Sequence, residues 1–135
     1  MELHLKVIGL ILILLSLVHV LFPKYFNWRT EFAGISLINR QVMYVHTFFI
    51  ALTVALMGFL CLMYPGELIH TKLGNKITCG LFIFWNLRLW IQFFGYSSKL
   101  WRGKFPETVV HILFSLLWTY FSSIFFYIYW MNKDL

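Results

Sequence analysis

Four long apolar runs mark out the chain, each bounded by polar, aromatic or helix-breaking residues. The first, Val7 to Phe22, carries polar side chains only at Ser16 and His19 and leads into Pro23, Lys24 and Tyr25. The second, Val42 to Tyr64, stops at Pro65 and Gly66, residues that end helices by removing a donor and by allowing positive φ. The third covers Ile77 to Tyr96, and the fourth covers Thr108 to Trp130 after Pro106, which suits a helix's first turn. A helix rises about 1.5 Å per residue and the bilayer's hydrocarbon core is about 30 Å thick, so about 20 apolar residues cross it. The pattern predicts spans at about residues 7–22, 42–64, 77–96 and 108–130. Lys6 precedes the first run as a basic residue precedes a signal sequence, but no small-x-small motif follows, and the expectation is an uncleaved span.

Between the first two spans, Pro23 to Asn39 is too polar to cross a membrane and too aromatic for a free loop. Trp28, Phe32 and Ile35 stand at helical spacing with Arg29 and Glu31 on other faces, which predicts a short interfacial helix at about residues 27–38. No internal repeat or linker interrupts the chain, so a single transmembrane domain over residues 1–135 is expected. The predicted fold class is an all-α integral membrane protein, a four-transmembrane-helix bundle with a short interfacial helix after the first span.

Composition narrows the choice of solvent. The 135 residues are 61% hydrophobic, 21% aromatic and 12% charged. A soluble domain carries roughly 25% charged residues to keep its surface in water. A soluble enzyme, a disordered chain and a DNA-binding module are therefore excluded, and the net charge of +6 points to lipid headgroups rather than nucleic acid. Cys61 and Cys79 both fall inside apolar runs and form no CxxC motif, as expected of buried free thiols.

Four crossings put the 23–41 and 97–107 loops on one side of the membrane and both termini with the 65–76 loop on the other. Lys24, Arg29, Arg40, Lys99, Arg102 and Lys104 lie on the first side, against Lys6, Lys72, Lys76 and Lys133 on the second. The bias of basic residues toward the cytoplasm makes the first side cytoplasmic and both termini external, in a plasma or bacterial inner membrane.

The candidate chemistry is a set of basic and imidazole groups at one depth. A charged side chain within a span costs about 2.5 to 3.5 kcal/mol on insertion scales, so Arg88 asks for a reason. Trp85, Arg88 and Gln92 share a stripe of span three; Glu107, His111, Ser115, Trp118 and Ser122 share one of span four; Asn39, Met43, His46, Ile50 and Thr53 share one of span two. The first two stripes are expected to face inward, whereas Asn86 stands about 200° from Arg88. The expected ligand-binding set is Arg88, Gln92, His46, His111, Trp85 and Ser115, a polar pocket for a partner or for an anionic, lipophilic ligand, since the arginine fork fits carboxylate and phosphate. Polar groups of this kind also hold membrane helices together without binding anything.

Two further readings use the same residues. Imidazoles from neighbouring spans, His46 with His111, could ligate a b-type haem, or His46, His111, Glu107 and His19 a metal ion, which would make a haem- or quinone-binding redox subunit. A small oligomeric transporter is the other; the spans hold no Asp or Glu away from their ends, which leaves anion passage past Arg88 rather than cation export. No nucleophile or catalytic motif is visible. The chain reads as an accessory or subunit-type component, with the lipid bilayer, other membrane-protein subunits or further copies of itself as partners.

Overall fold

A computed structural model describes residues 1–134. The described residues form helices and no strand: α1 Glu2–Tyr25, α2 Trp28–Glu31, α3 Leu37–Met63, α4 Pro65–His70, α5 Lys72–Phe94 and α6 Phe105–Met131, with a short 3-10 turn at Ser98–Leu100. α1, α3, α5 and α6 are each long and apolar enough to cross a membrane, in keeping with the four expected spans and the all-α class. All four helices outrun the apolar runs at their N-terminal ends, because helical hydrogen bonding continues into the polar flanks where a hydropathy reading stops. The chain divides into two compact units, one from Glu2 to Pro65 and the other from Gly66 onward.

In the first unit α1 packs on α3. The pairing is antiparallel, since Gly9 meets Leu62 and Ile13 meets Gly58. A Cβ on Gly9 would come 2.8 Å from the Gly58 carbonyl oxygen, and one on Gly58 would come 2.9 Å from the Gly9 oxygen. The two backbones touch, and only glycine permits it. Leu5, Ile8, Leu12 and Ser16 extend the packed stripe on α1, and Val54 and Cys61 extend it on α3.

The connection between α1 and α3 carries the expected short helix after the first span, over fewer residues than 27–38. Only one turn forms, Trp28–Glu31, because Asn27 takes a left-handed conformation before it and Ser36 opens α3 by accepting from the Asn39 N–H. Residues 37 and 38 belong to α3. Trp28 is buried edge-on to Tyr44, with ring centroids 5.4 Å apart, and so ties the connection to α3.

In the second unit α5 packs on α6, again antiparallel: Gln92 faces His111, Trp85 faces Trp118, and Asn75 faces Tyr129. Pro65 ends α3 as the sequence predicts and also opens the short α4, since proline serves as a first helical residue. Thr71 then caps α5 by accepting from the Gly74 N–H at 2.9 Å. A side chain on Gly74 would collide with the Glu67 carbonyl oxygen, so the α4–α5 elbow requires glycine there. At the far end of α6, the Asn75 amide donates to the Tyr129 carbonyl at 2.9 Å and clamps the two long helices. Phe121, Phe125 and Ile128 fill the seam.

Candidate functional site

The polar centre of the α5–α6 hairpin is Gln92, on the α6-facing stripe and only 7% exposed. Its Nε2 donates to His111 Nδ1 at 2.9 Å. Its Oε1 receives two longer bonds, from Trp118 Nε1 at 3.4 Å and Arg88 Nη1 at 3.5 Å. These contacts fix the amide's orientation. Turning it over would aim its N–H groups at two other donors, so the oxygen must face Arg88 and Trp118. His111 Nδ1 is therefore an acceptor, and the imidazole proton resides on Nε2.

Aromatic rings wall this network. Trp118 stacks on Trp85 at 4.9 Å and on Phe114 at 5.4 Å. The Arg88 guanidinium lies 5.3 Å from the Trp118 ring and 5.6 Å from the Tyr96 ring, within reach of cation–π attraction to both. Trp101 covers His111, with centroids 4.4 Å apart and planes 8° from parallel. The loop places that ring: Thr108 Oγ1 donates to the Trp101 carbonyl at 2.7 Å and also to the Lys104 carbonyl at the start of α6. Phe93 meets His111 edge-on at 6.1 Å.

Arg88 has five N–H donors and gives one long bond to protein. No carboxylate pairs with it among the described residues; the nearest acid in sequence on this hairpin, Glu107, is exposed in the first turn of α6, where it complements the helix dipole. Lys99, Arg102 and Lys104 are exposed on the loop that joins α5 to α6, at the end of the hairpin nearer to the cluster. The arrangement is a half-buried cation on an aromatic floor, with a basic rim and unfilled donors. It suits an anionic group entering from the loop end.

Of the six expected ligand-binding residues, Arg88, Gln92, Trp85 and His111 come together in one connected cluster. Ser115 lies on the same stripe, but its hydroxyl donates to the His111 carbonyl at 2.8 Å within its own helix. Trp85 is buried with its Nε1 lacking a partner. Trp101, Tyr96 and Phe93 belong to the site and are not in the expected set: Trp101 and Tyr96 lie beyond the end of α5, where a loop's path leaves no periodic signal, and Phe93 is one more aromatic in an apolar helix.

His46 and His19 belong to the other unit. His46 is exposed on α3 and its Nδ1 donates to the Val42 carbonyl at 2.9 Å. His19 continues the packed stripe of α1, donates from Nδ1 to the Leu15 carbonyl at 2.7 Å and lies against Phe22. Among the described residues no group of three or more His, Cys, Asp or Glu side chains that could hold a metal ion is found; of the expected His19, His46, Glu107 and His111, the first two lie on the first unit and the last two on the second.

No known protein family, curated protein or solved structure matches the chain.

Proposed function

We propose that the protein is a small multi-pass accessory component of a membrane complex, and that its α5–α6 hairpin binds the anionic group of a lipophilic ligand through Arg88. The observation that carries this reading is the guanidinium itself: it sits between Trp118 and Tyr96, spends one long bond on Gln92, and has no acidic partner. A buried or half-buried cation without a counter-ion is costly, and an incoming phosphate or carboxylate would supply both charge and acceptors. The aromatic floor would take the ligand's apolar body. Gln92 and His111 act as positioning residues, and the His111 Nε2–H is a further donor for the same anion. An accessory role fits a chain whose long helices leave only short connections for any independent catalytic machinery.

In this proposal the basic loop of α5–α6 faces the cytoplasm, with both termini outside. Lys99, Arg102 and Lys104 then meet the anionic leaflet, where each cation near the surface gains about 1 kcal/mol. A cysteine placed at Ser98 should resist an impermeant thiol reagent in intact cells, and ready labelling would reverse the orientation.

The test of the site is ligand retention. Full-length protein in nanodiscs should bind phosphatidylglycerol or a long-chain carboxylate in preference to phosphatidylcholine, as read by native mass spectrometry. Arg88→Ala should weaken that preference at least tenfold, and Arg88→Lys should restore only part of it because the planar fork is lost. Equal retention by wild type and Arg88→Ala would remove the anion site.

A second reading has its own observation. His19 and His46 each donate from Nδ1 to a backbone carbonyl, which leaves Nε2 unprotonated as metal or haem ligation needs. An absorption spectrum before and after dithionite, with metal analysis, checks it: a reducible Soret band or bound metal lost in His46→Ala would favour the redox subunit.

A further inference from the structure

The Gln92 amide joins two groups that respond to different things. One end of it meets His111, and the other meets Arg88 and Trp118. With His111 neutral, the amide N–H donates to Nδ1 at 2.9 Å and the amide oxygen accepts from the two donors opposite. Imidazole takes up a proton between about pH 5 and pH 8, and the imidazolium donates from both nitrogens. A proton on His111 Nδ1 therefore faces the Gln92 N–H, donor against donor. Gln92 is buried, so solvent does not relieve the mismatch. Turning the amide over does: its oxygen then meets a charged donor, and such a bond is about twice as strong as one between neutral groups.

The same turn changes Arg88. Its bond of 3.5 Å to the Gln92 oxygen is exchanged for an approach by the amide N–H. The guanidinium donors are then all unfilled, and a second cation stands at the far end of the amide. An anion supplies acceptors to Arg88 and to the His111 Nε2–H together. Trp101, stacked on the imidazole with planes 8° from parallel, offers its π face to the charged ring as well as to the neutral one. The other charged and titratable groups at this end of the hairpin are Tyr96, which lies against Arg88, Lys99, Arg102 and Lys104 on the loop, and Glu107 one turn before His111. All five are exposed, where solvent and salt screen them.

We propose that the site takes up a proton with its anion: protonation of His111 and anion binding at Arg88 favour one another, with Gln92 as the two-position relay between them. The anion then binds more tightly as the pH falls. This rests on the Arg88 anion site and adds its regulation. The turn of the amide itself needs no ligand and can be read without one.

The experiment uses the full chain in nanodiscs at about pH 8 and pH 5. In phosphatidylcholine alone, the Trp118 indole N–H resonance should move between the two as it loses the Gln92 oxygen, and should stay still in His111→Phe, which keeps a ring against Trp101. A resonance that does not move in the wild type overturns the amide turn. With phosphatidylglycerol added, whose phosphodiester stays ionised across this range, its preference over phosphatidylcholine should rise about fivefold or more on acidification. His111→Phe should cut that rise to less than about twofold, and so should Gln92→Leu, which keeps the imidazole but breaks the relay. A full rise in His111→Phe would put the proton on another group, and a full rise in Gln92→Leu would mean that charge acts without the amide; either overturns the proposal. A preference that depends on Arg88 but not on pH overturns the coupling and leaves the anion site standing. No preference at either pH removes the site, and the coupling with it. Circular dichroism on each variant confirms retained helix, and the wild-type measurements decide the case if a variant does not fold.

Discussion

The two hairpins pair their helices by opposite means. In α1–α3 the closest contact is backbone on backbone, where Gly9 and Gly58 bring each carbonyl oxygen within reach of the other helix. In α5–α6 the helices are held by side chains: the Asn75 clamp, the Gln92 network and the stack of Trp85 on Trp118. Lipid tails are as apolar as leucine, so helices in a bilayer gain little from hiding apolar surface and must associate by close packing or by hydrogen bonds. Each hairpin leans on one of these. The difference separates a scaffold, whose pairing needs only shape, from a region where polar groups are available for chemistry. The Arg88 cluster lies on the second hairpin.

The comparison is broken most forcefully at Gly58. Gly58→Leu sets a side chain against the Gly9 carbonyl and Ile13, and overpacking of this kind costs about 1–3 kcal/mol. With backbone as the obstacle the upper end is expected, seen as a lower thermal midpoint in detergent and faster hydrogen exchange along α1 and α3. A tolerated leucine would show that backbone contact does not hold this hairpin.

Gln92→Leu comes next. It removes the partner of His111 Nδ1, Trp118 Nε1 and Arg88 Nη1 together, and stranding buried polar groups costs about 1–3 kcal/mol. Part of that loss is offset because Arg88 can turn toward water. The nitrogen resonance of His111 Nδ1 should shift as its donor disappears; an unchanged resonance would mean that the amide does not set the tautomer. The smallest effect belongs to Asn75→Ala, which loses one interhelical bond worth about 0.6 to 1.7 kcal/mol by the range measured in membrane proteins. Faster exchange confined to the adjoining ends of α5 and α6 would sharpen the contrast with Gly58.

Much of this was legible in the sequence. The four spans follow from hydropathy, and the 85–88–92 stripe follows from helical period, which puts Arg88, Gln92 and Trp85 on one face. Periodicity gives the face of a residue and not its bond, so Ser115 was placed on the right stripe although its hydroxyl turns back to its own helix. For His46, helical period gives the stripe it shares with Asn39 and Met43 on α3, and no signal in the sequence marks which side of α3 packs on α1. The Trp101 stack depends on a loop fixed by Thr108, and the short α4 depends on Pro65 starting a helix as well as ending one. Gly9 and Gly58 carried a usable hint, since glycine in a spanning helix often marks close approach.

The glycine contact also bears on timing. Both its partners lie in α1 and α3, so both are made before any of α5 or α6 exists. The stretch from Lys72 to Met131 is some 60 residues, which at roughly 5–20 residues per second takes about 3–12 s to synthesise. Helix pairs form on microsecond to millisecond scales. The first hairpin thus has time to close in the membrane, without waiting for the polar helices, while the segment bearing Arg88 is still being built.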